Sequence, residues 1–115
     1  MLGRNILGAV VIENPTSAEN VGLFYTPEAL TVQQIVAVLR GSSTPSVTWT
    51  IKYAATRNAA GTEVVTGGTV TTSVTSGSVV TSFNNASIPA GSFVWLETTA
   101  QSGTVTELDV TLEAA

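Results

Sequence analysis

The acidic residues are the side chains of this sequence with the clearest potential for chemistry. Glu97 follows Trp95 and Leu96, and an aromatic neighbour is the kind of environment that raises the pKa of a general acid in a glycosidase. Such a mechanism needs a second carboxylate. The other candidates are Glu63, Glu107, Asp109 and Glu113. Three of these alternate with Leu108, Val110 and Leu112, which is typical of the solvent face of a strand. The pattern therefore favours a protein that is not an enzyme and has no catalytic residues.

Other kinds of active site lack the residues they require. The chain has no cysteine and no histidine, so thiolate chemistry and a Ser-His-Asp triad are excluded. Lys52 could serve a Ser-Lys pair, but it alternates with threonines on what is predicted to be a solvated face. Glu13, Asn14, Glu19 and Asn20 lie close in sequence but lack the spacing of a calcium loop, and no glycine-rich nucleotide motif is present. We therefore expect no metal and no cofactor.

Composition narrows the possible partners. Charged residues are 10 % of the 115, the net charge is −4, and the four basic residues are scattered along the chain. Nucleic-acid binding is not expected without a cationic track, and no apolar run reaches the length of a membrane span. The abundance of threonine, serine and valine favours an all-β protein.

The pattern of alternation predicts the architecture. Val47, Trp49, Ile51 and Tyr53 share one face of a strand, and a single stripe of this kind is usually the wall of a core. Trp49 and Trp95 are expected to be core anchors whose indole N–H groups need partners. Breakers at 41–45 and 101–103 and a Ser76-Gly77 hairpin turn separate the runs. We predict one domain over 1–115, an antiparallel two-sheet β-sandwich of eight or nine short strands with 1–12 as an N-terminal strand or arm. The expected strands are Ile6–Ile12, Asn20–Tyr25, Thr31–Arg40, Val47–Tyr53, Thr69–Val74, Ser78–Phe83, a strand around Phe93–Thr99 and a closing strand around Glu107–Glu113.

The order of these motifs resembles a known group of proteins. The motifs are Phe24-Tyr25-Thr26-Pro27-Glu28-Ala29-Leu30-Thr31, the strand Val47–Tyr53, Arg57–Val64 and Ile88-Pro89-Ala90-Gly91-Ser92-Phe93-Val94-Trp95. Over about residues 20–113 the chain resembles small β-sandwich modules of tailed bacteriophage virions, which serve as head decoration (cement) proteins or as modules of tails and fibres. The resemblance implies a jelly-roll-like fold and a binding role, and it supplies no catalytic residue.

Within that group, a decoration protein is the first hypothesis. The 115 residues contain no coiled coil or collagen-like repeat of the kind that anchors a fibre, which favours a subunit that docks on the capsid lattice. The expected partners are the major capsid protein or other virion proteins. We expect the chain to form a homo-oligomer, with a trimer as the specific prediction, and to lie on the surface of the phage particle. The residues predicted at the interface are Phe24, Tyr25 and Phe83.

A tail or fibre-tip module that binds host-surface glycans is the alternative. Such a site needs an exposed aromatic ring with amides nearby. The residues available for it are Tyr53, Asn58, Asn84, Asn85 and Gln101.

Overall fold

The computed structural model describes residues 6–115, with the backbone alone for residues 6 and 7, and over that range the protein is all-β. No helix forms among the described residues, and so none of them belongs to a helix able to cross a membrane. The predicted class is therefore confirmed. The eight strands are β1 (Ile6–Glu13), β2 (Asn20–Thr26), β3 (Leu30–Ala54), β4 (Thr62–Glu63), β5 (Thr69–Thr71), β6 (Ser78–Val80), β7 (Ser87–Ile88) and β8 (Ser92–Ala114).

Two long strands form the spine of one antiparallel sheet. β3 has 25 residues and β8 has 23, and they pair from Val32 opposite Ala114 to Ala54 opposite Phe93. The outer edge of β8 carries β1 and β2, and the outer edge of β3 carries β4, β5, β6 and β7. Because β3 and β8 are central, each of them has neighbouring strands paired along both of its edges.

The prediction that all strands are short was wrong. The predicted breakers at 41–45 and 101–103 lie inside β3 and β8 and do not end either strand. They face each other: Ser42 pairs with Thr104 and Ser46 with Ser102, so three residues of β3 oppose one residue of β8. This is a β-bulge, which bends a strand without ending it. Ser43, Thr44 and Gly103 all have positive φ there. A straight strand of 25 residues would span about 80 Å, whereas the longest dimension of the molecule is 45 Å, so β3 must bend.

The bend divides the sheet into two parts. Half-sheet 1 contains β1, β6, β7 and residues 30–42 of β3 with 104–114 of β8; half-sheet 2 contains β2, β4, β5 and residues 46–54 of β3 with 92–102 of β8. Backbone hydrogen bonds also link the two half-sheets directly. The N–H groups of Asn84 and Asn85, next to half-sheet 1, donate to the carbonyl of Val64, which follows β4.

The predicted Ser76-Gly77 hairpin is also wrong. β5 pairs with Val47–Trp49 and β6 with Ile35–Ala37, so both pair with β3 and neither with the other. The edge of β3 offers a long row of backbone donors and acceptors. The short strands β4, β5, β6 and β7 each pair with a different part of this edge.

The buried apolar residues form one cluster drawn from both half-sheets. Ile35, Leu39, Trp49 and Leu108 have exposed fractions of 1 % or less. The predicted inward stripe is confirmed for Val47, Trp49 and Ile51, and the indole N–H of Trp49 donates to Thr71 Oγ1 at 2.9 Å. Burial of this order is the main stabilising contribution in a chain with no disulfide.

Candidate docking surfaces

Alternation along β8 gives half-sheet 2 a core side and an outer side. Val94 and Leu96 belong to the buried cluster, whereas Phe93, Trp95 and Glu97 point to the opposite side. Trp95 is fully buried but lies outside that cluster. The prediction that Trp95 is buried is thus confirmed, but the prediction that it anchors the core is wrong, because it lies outside the common cluster.

A loop covers Trp95 on the outer side. The guanidinium of Arg57 lies 4.6 Å from the ring centroid of Trp95, an arrangement that is favourable because the ring face is electron-rich. Gly61, with φ of +85°, lies so close to the same ring that a Cβ there would be 2.6 Å from it. Arg57 Nη2 also donates to Asn20 Oδ1 on β2. The strand is therefore apolar on both sides because the chain between β3 and β4 folds over it.

Both carboxylate oxygens of Glu97 interact with neighbouring side chains of the protein. Its Oε2 accepts a hydrogen bond from Trp95 Nε1 at 2.7 Å, and its Oε1 lies 3.1 Å from Lys52 Nζ. The acids considered as partners for a glycosidase are not placed beside it: Glu63 lies on β4 with β3 in between, and the other three lie in half-sheet 1. Among the described residues no group of three acids could hold a metal ion.

An aromatic pair lies exposed on the same side of half-sheet 2. Tyr25 on β2 is paired with Phe93 on β8, and their ring centroids are 4.9 Å apart at an interplanar angle of 55°. Tyr25 is 52 % exposed and Phe93 38 %. Offset or tilted aromatic pairs with an open face are frequent anchors of protein interfaces.

The three residues predicted at an interface differ in exposure. Tyr25 is exposed, whereas Phe24 and Phe83 are half-buried and pack against the core. Phe93 was not among the predicted interface residues, although apolar residues on both sides of its strand are compatible with either a central strand or a subunit contact. Only the pairing of β2 with β8, which is not encoded in local spacing, places Phe93 beside Tyr25.

The residues predicted for glycan contact do not form one group. Tyr53 is half-buried and packs on the core. Gln101 lies opposite Val47, which is six positions from Tyr53 along β3. The side-chain amide of Asn85 donates to the carbonyl of Glu63 at 2.9 Å, and that of Gln101 to the carbonyl of Gly103 at 2.8 Å. These two amides therefore hold local backbone structure. Asn58 and Asn84 are exposed.

Half-sheet 1 has an acidic margin, defined as Glu13, Glu107 and Asp109 with Arg40 beside them. Glu107 pairs with Glu13 on one side and with Arg40 on the other. The pKa of Glu107 is raised, chiefly by its hydrogen bond with Asp109, then by partial desolvation and by the negative charges of Asp109 and Glu13, while Arg40 acts in the opposite direction. The acids of the last strand thus lie on its outer side, as alternation predicted.

Comparison with known proteins shows that the fold of this chain is similar to that of a solved structure. No protein-family model and no curated protein matches the sequence. A chain of the cyanophage Pam1 capsid asymmetric unit is similar in structure, with a TM-score of 0.53 and 13 % sequence identity over 96 % of this chain and 82 % of that chain. At this identity the similarity establishes a shared fold.

Proposed function

We propose that this protein is a non-enzymatic structural protein of a phage virion, and specifically a decoration or cement protein on the capsid surface. The observation that carries the proposal is the shared fold with a chain of a phage capsid asymmetric unit, which extends over 96 % of this chain. Since the alignment also covers most of the other chain, the likeness is to a capsid chain of similar length.

In this proposal the folded-back sheet is a two-sheet, jelly-roll-like sandwich in a single domain. The single buried cluster shared by the two half-sheets supports it, as do the hydrogen bonds from Asn84 and Asn85 to Val64. Two packed sheets give a rigid body. A rigid body suits a subunit that must brace a lattice.

The mechanism of bracing would be a modest interface repeated by symmetry. Tyr25 and Phe93 supply the first contact, because they are the paired aromatic rings that the fold leaves exposed. Phe24 and Phe83, the other residues predicted at the interface, are partly buried against the core and would contribute only the parts of their rings that remain exposed. The partners would be the major capsid protein and further copies of this chain, and a trimer is the expected assembly. A contact of this kind stabilises a shell through its number of copies rather than through its individual affinity.

The copy number of the chain in purified virus particles tests the proposal. We expect a number comparable to that of the major capsid protein, measured by quantitative mass spectrometry. A few copies per particle would instead favour the tail module with a glycan site. Absence of the chain from particles would contradict both functions.

A variant tests the contact itself. Tyr25→Ala should lower the copy number, while Tyr53→Phe, which alters a half-buried ring by one hydroxyl, should leave it unchanged. Equal incorporation of both variants would remove Tyr25 from the interface without affecting the assignment to the particle.

A further inference from the structure

The middle of the outer side of half-sheet 1 carries several valines, between the acidic margin at one end and Glu113 at the other. Residues directly opposite one another on antiparallel strands place their side chains on the same side. The pairing across β1, β8, β3 and β6 therefore gives two rows of neighbours. We call this set the valine face: Ala9, Thr111, Val36 and Val79 in one row, and Val11, Asp109 and Val38 in the next.

The valine face is exposed at its two edges, on β1 and β6, whereas Val36 and Val38 between them are half-buried. Val11 is 60 % exposed and Val79 is 59 %, the two highest values among the large apolar residues described. The alternate positions Ile35, Ala37 and Leu39 are buried in the core. Because a half-exposed antiparallel sheet normally carries polar residues on its open side, a valine-rich open side indicates a surface that becomes covered.

The charges at the border indicate what covers it. The acidic margin and the valine face share Asp109, which lies between Val11 and Val38. One of its side-chain oxygens, Oδ1, is buried without a hydrogen-bond partner. Among the described residues only Arg40 provides a positive charge beside these acids. Lys52 and Arg57 both lie in or next to half-sheet 2, where they contact Glu97 and Trp95.

A second copy of this chain is a poor match for such a surface. The chain has eight acidic and four basic residues, so two valine faces in contact would bring two acidic margins close together. Like charges at an interface cost affinity and exclude partners. A surface with apolar residues and lysine or arginine at its border is complementary to the valine face in both respects.

We propose that the valine face is a second docking surface, for a partner protein that presents an apolar centre flanked by lysine or arginine. The inference rests on the proposed function in that the partner surface is taken to belong to the capsid shell. A subunit that bridges neighbouring shell proteins needs two contact surfaces. The aromatic pair and the valine face, in different half-sheets, would be those two.

The test uses shell particles prepared without this chain, to which the purified protein is added. The double variant V11T/V79T replaces one methyl group by a hydroxyl at each site while keeping a β-branched residue suited to a strand. We expect about tenfold weaker binding from the loss of two apolar contacts. V70T is the matched control, because Val70 is 49 % exposed on β5 in half-sheet 2, and it should bind like the wild type.

A second variant tests the charges independently of the valines. E107Q/D109N should bind more weakly than the wild type at low salt, and its binding should depend less on salt concentration, because fewer ion pairs form with the partner. Circular dichroism is used to check that each variant is folded. Binding of this variant with the wild-type affinity and salt dependence would overturn the basic character of the partner.

The outcomes separate the two proposals. If wild type, V70T and V11T/V79T all bind equally, the valine face is not a docking surface and the capsid assignment stands. If the wild type does not bind the particles, both proposals fall. If light scattering shows an oligomer that V11T/V79T dissociates, the face is a contact between copies of this chain, and the proposed basic partner is wrong.

Discussion

Glu97 and Trp95 are joined by a hydrogen bond from the indole Nε1 to the carboxylate Oε2, 2.7 Å long, on the outer side of β8. Trp95 is fully buried, so its N–H has no access to water and depends on this acceptor. The second carboxylate oxygen of Glu97 lies 3.1 Å from Lys52 Nζ. An acid next to a tryptophan, which in sequence resembles a general acid, thus serves here to hold the ring beneath Arg57 and Gly61.

The two interactions of Glu97 can be separated by substitution. Glu97→Gln keeps an oxygen for the indole and loses the ion pair; because the two side chains are 21 % and 22 % exposed, we expect a loss of at most about 1 kcal/mol in the free energy of unfolding. Glu97→Ala leaves the indole N–H buried and unpaired, which costs about 1–3 kcal/mol. Urea unfolding measures both. Equal losses for the two variants would show that the ion pair, rather than the indole hydrogen bond, is the main contribution.

Gly103 should be essential to the bend of the long strands. Its φ is +68°, and a Cβ there would lie 2.6 Å from the carbonyl oxygens of Ser43 and Thr44. The left-handed conformation costs an L-residue about 1–2 kcal/mol, and the backbone contact adds to it. We therefore expect Gly103→Ala to lower the free energy of unfolding by at least about 2 kcal/mol.

Gly68→Ala is the control for this substitution. Apart from the adjacent residues of the chain, no atom lies within 4 Å of a Cβ built at Gly68, and a surface substitution of this type changes stability by no more than about 0.5 kcal/mol. Both variants can be compared by thermal or urea unfolding. If they were equally stable, the bulge would be able to adjust, and the bend would not depend on glycine.

Glu107 should make stability depend on pH in a defined direction. Its pKa is raised above 4.5, first by the hydrogen bond with Asp109. A carboxyl whose pKa is higher in the folded than in the unfolded chain binds more protons when folded. Its contribution to stability therefore falls as the pH rises from 4.5 through the folded pKa.

The variant Glu107→Gln tests this direction. It should be more stable than the wild type at pH 7, because it removes the repulsion from Asp109 and Glu13, and the advantage should disappear below pH 4.5, where the wild-type carboxyl is protonated. Unfolding by urea at a series of pH values measures the difference. Added salt should reduce it, because exposed charges are screened. A variant that is less stable than the wild type at pH 7 would contradict the prediction.

Local sequence patterns predicted much of the secondary structure. β1 and β2 agree with the expected strands to within one residue at either end, and the inward stripe around Trp49 lies in the core. The acids of the last strand lie on its outer side. These features follow from side-chain alternation, which depends only on neighbours in the sequence.

The errors have a common cause. Gly41–Pro45 and Gln101–Gly103 have the composition of turns, and either would end a strand if it were alone. Because each lies opposite the other in the β3–β8 ladder, the two irregular segments form one bulge and the strands continue. The same kind of information was missing for Tyr25 and Phe93, which become a pair only when β2 is placed beside β8.

The sequence by itself determined the all-β class, the faces of the strands and the lack of histidine and cysteine chemistry, because these depend on composition and on a period of two residues. The tertiary structure alone decided which strands are neighbours. It therefore decided that Trp95 is covered by a loop, that an aromatic pair is left exposed and that valines on three strands form one surface. Pairing between distant segments depends on the free energy of the whole sheet, and a short stretch of sequence does not contain it.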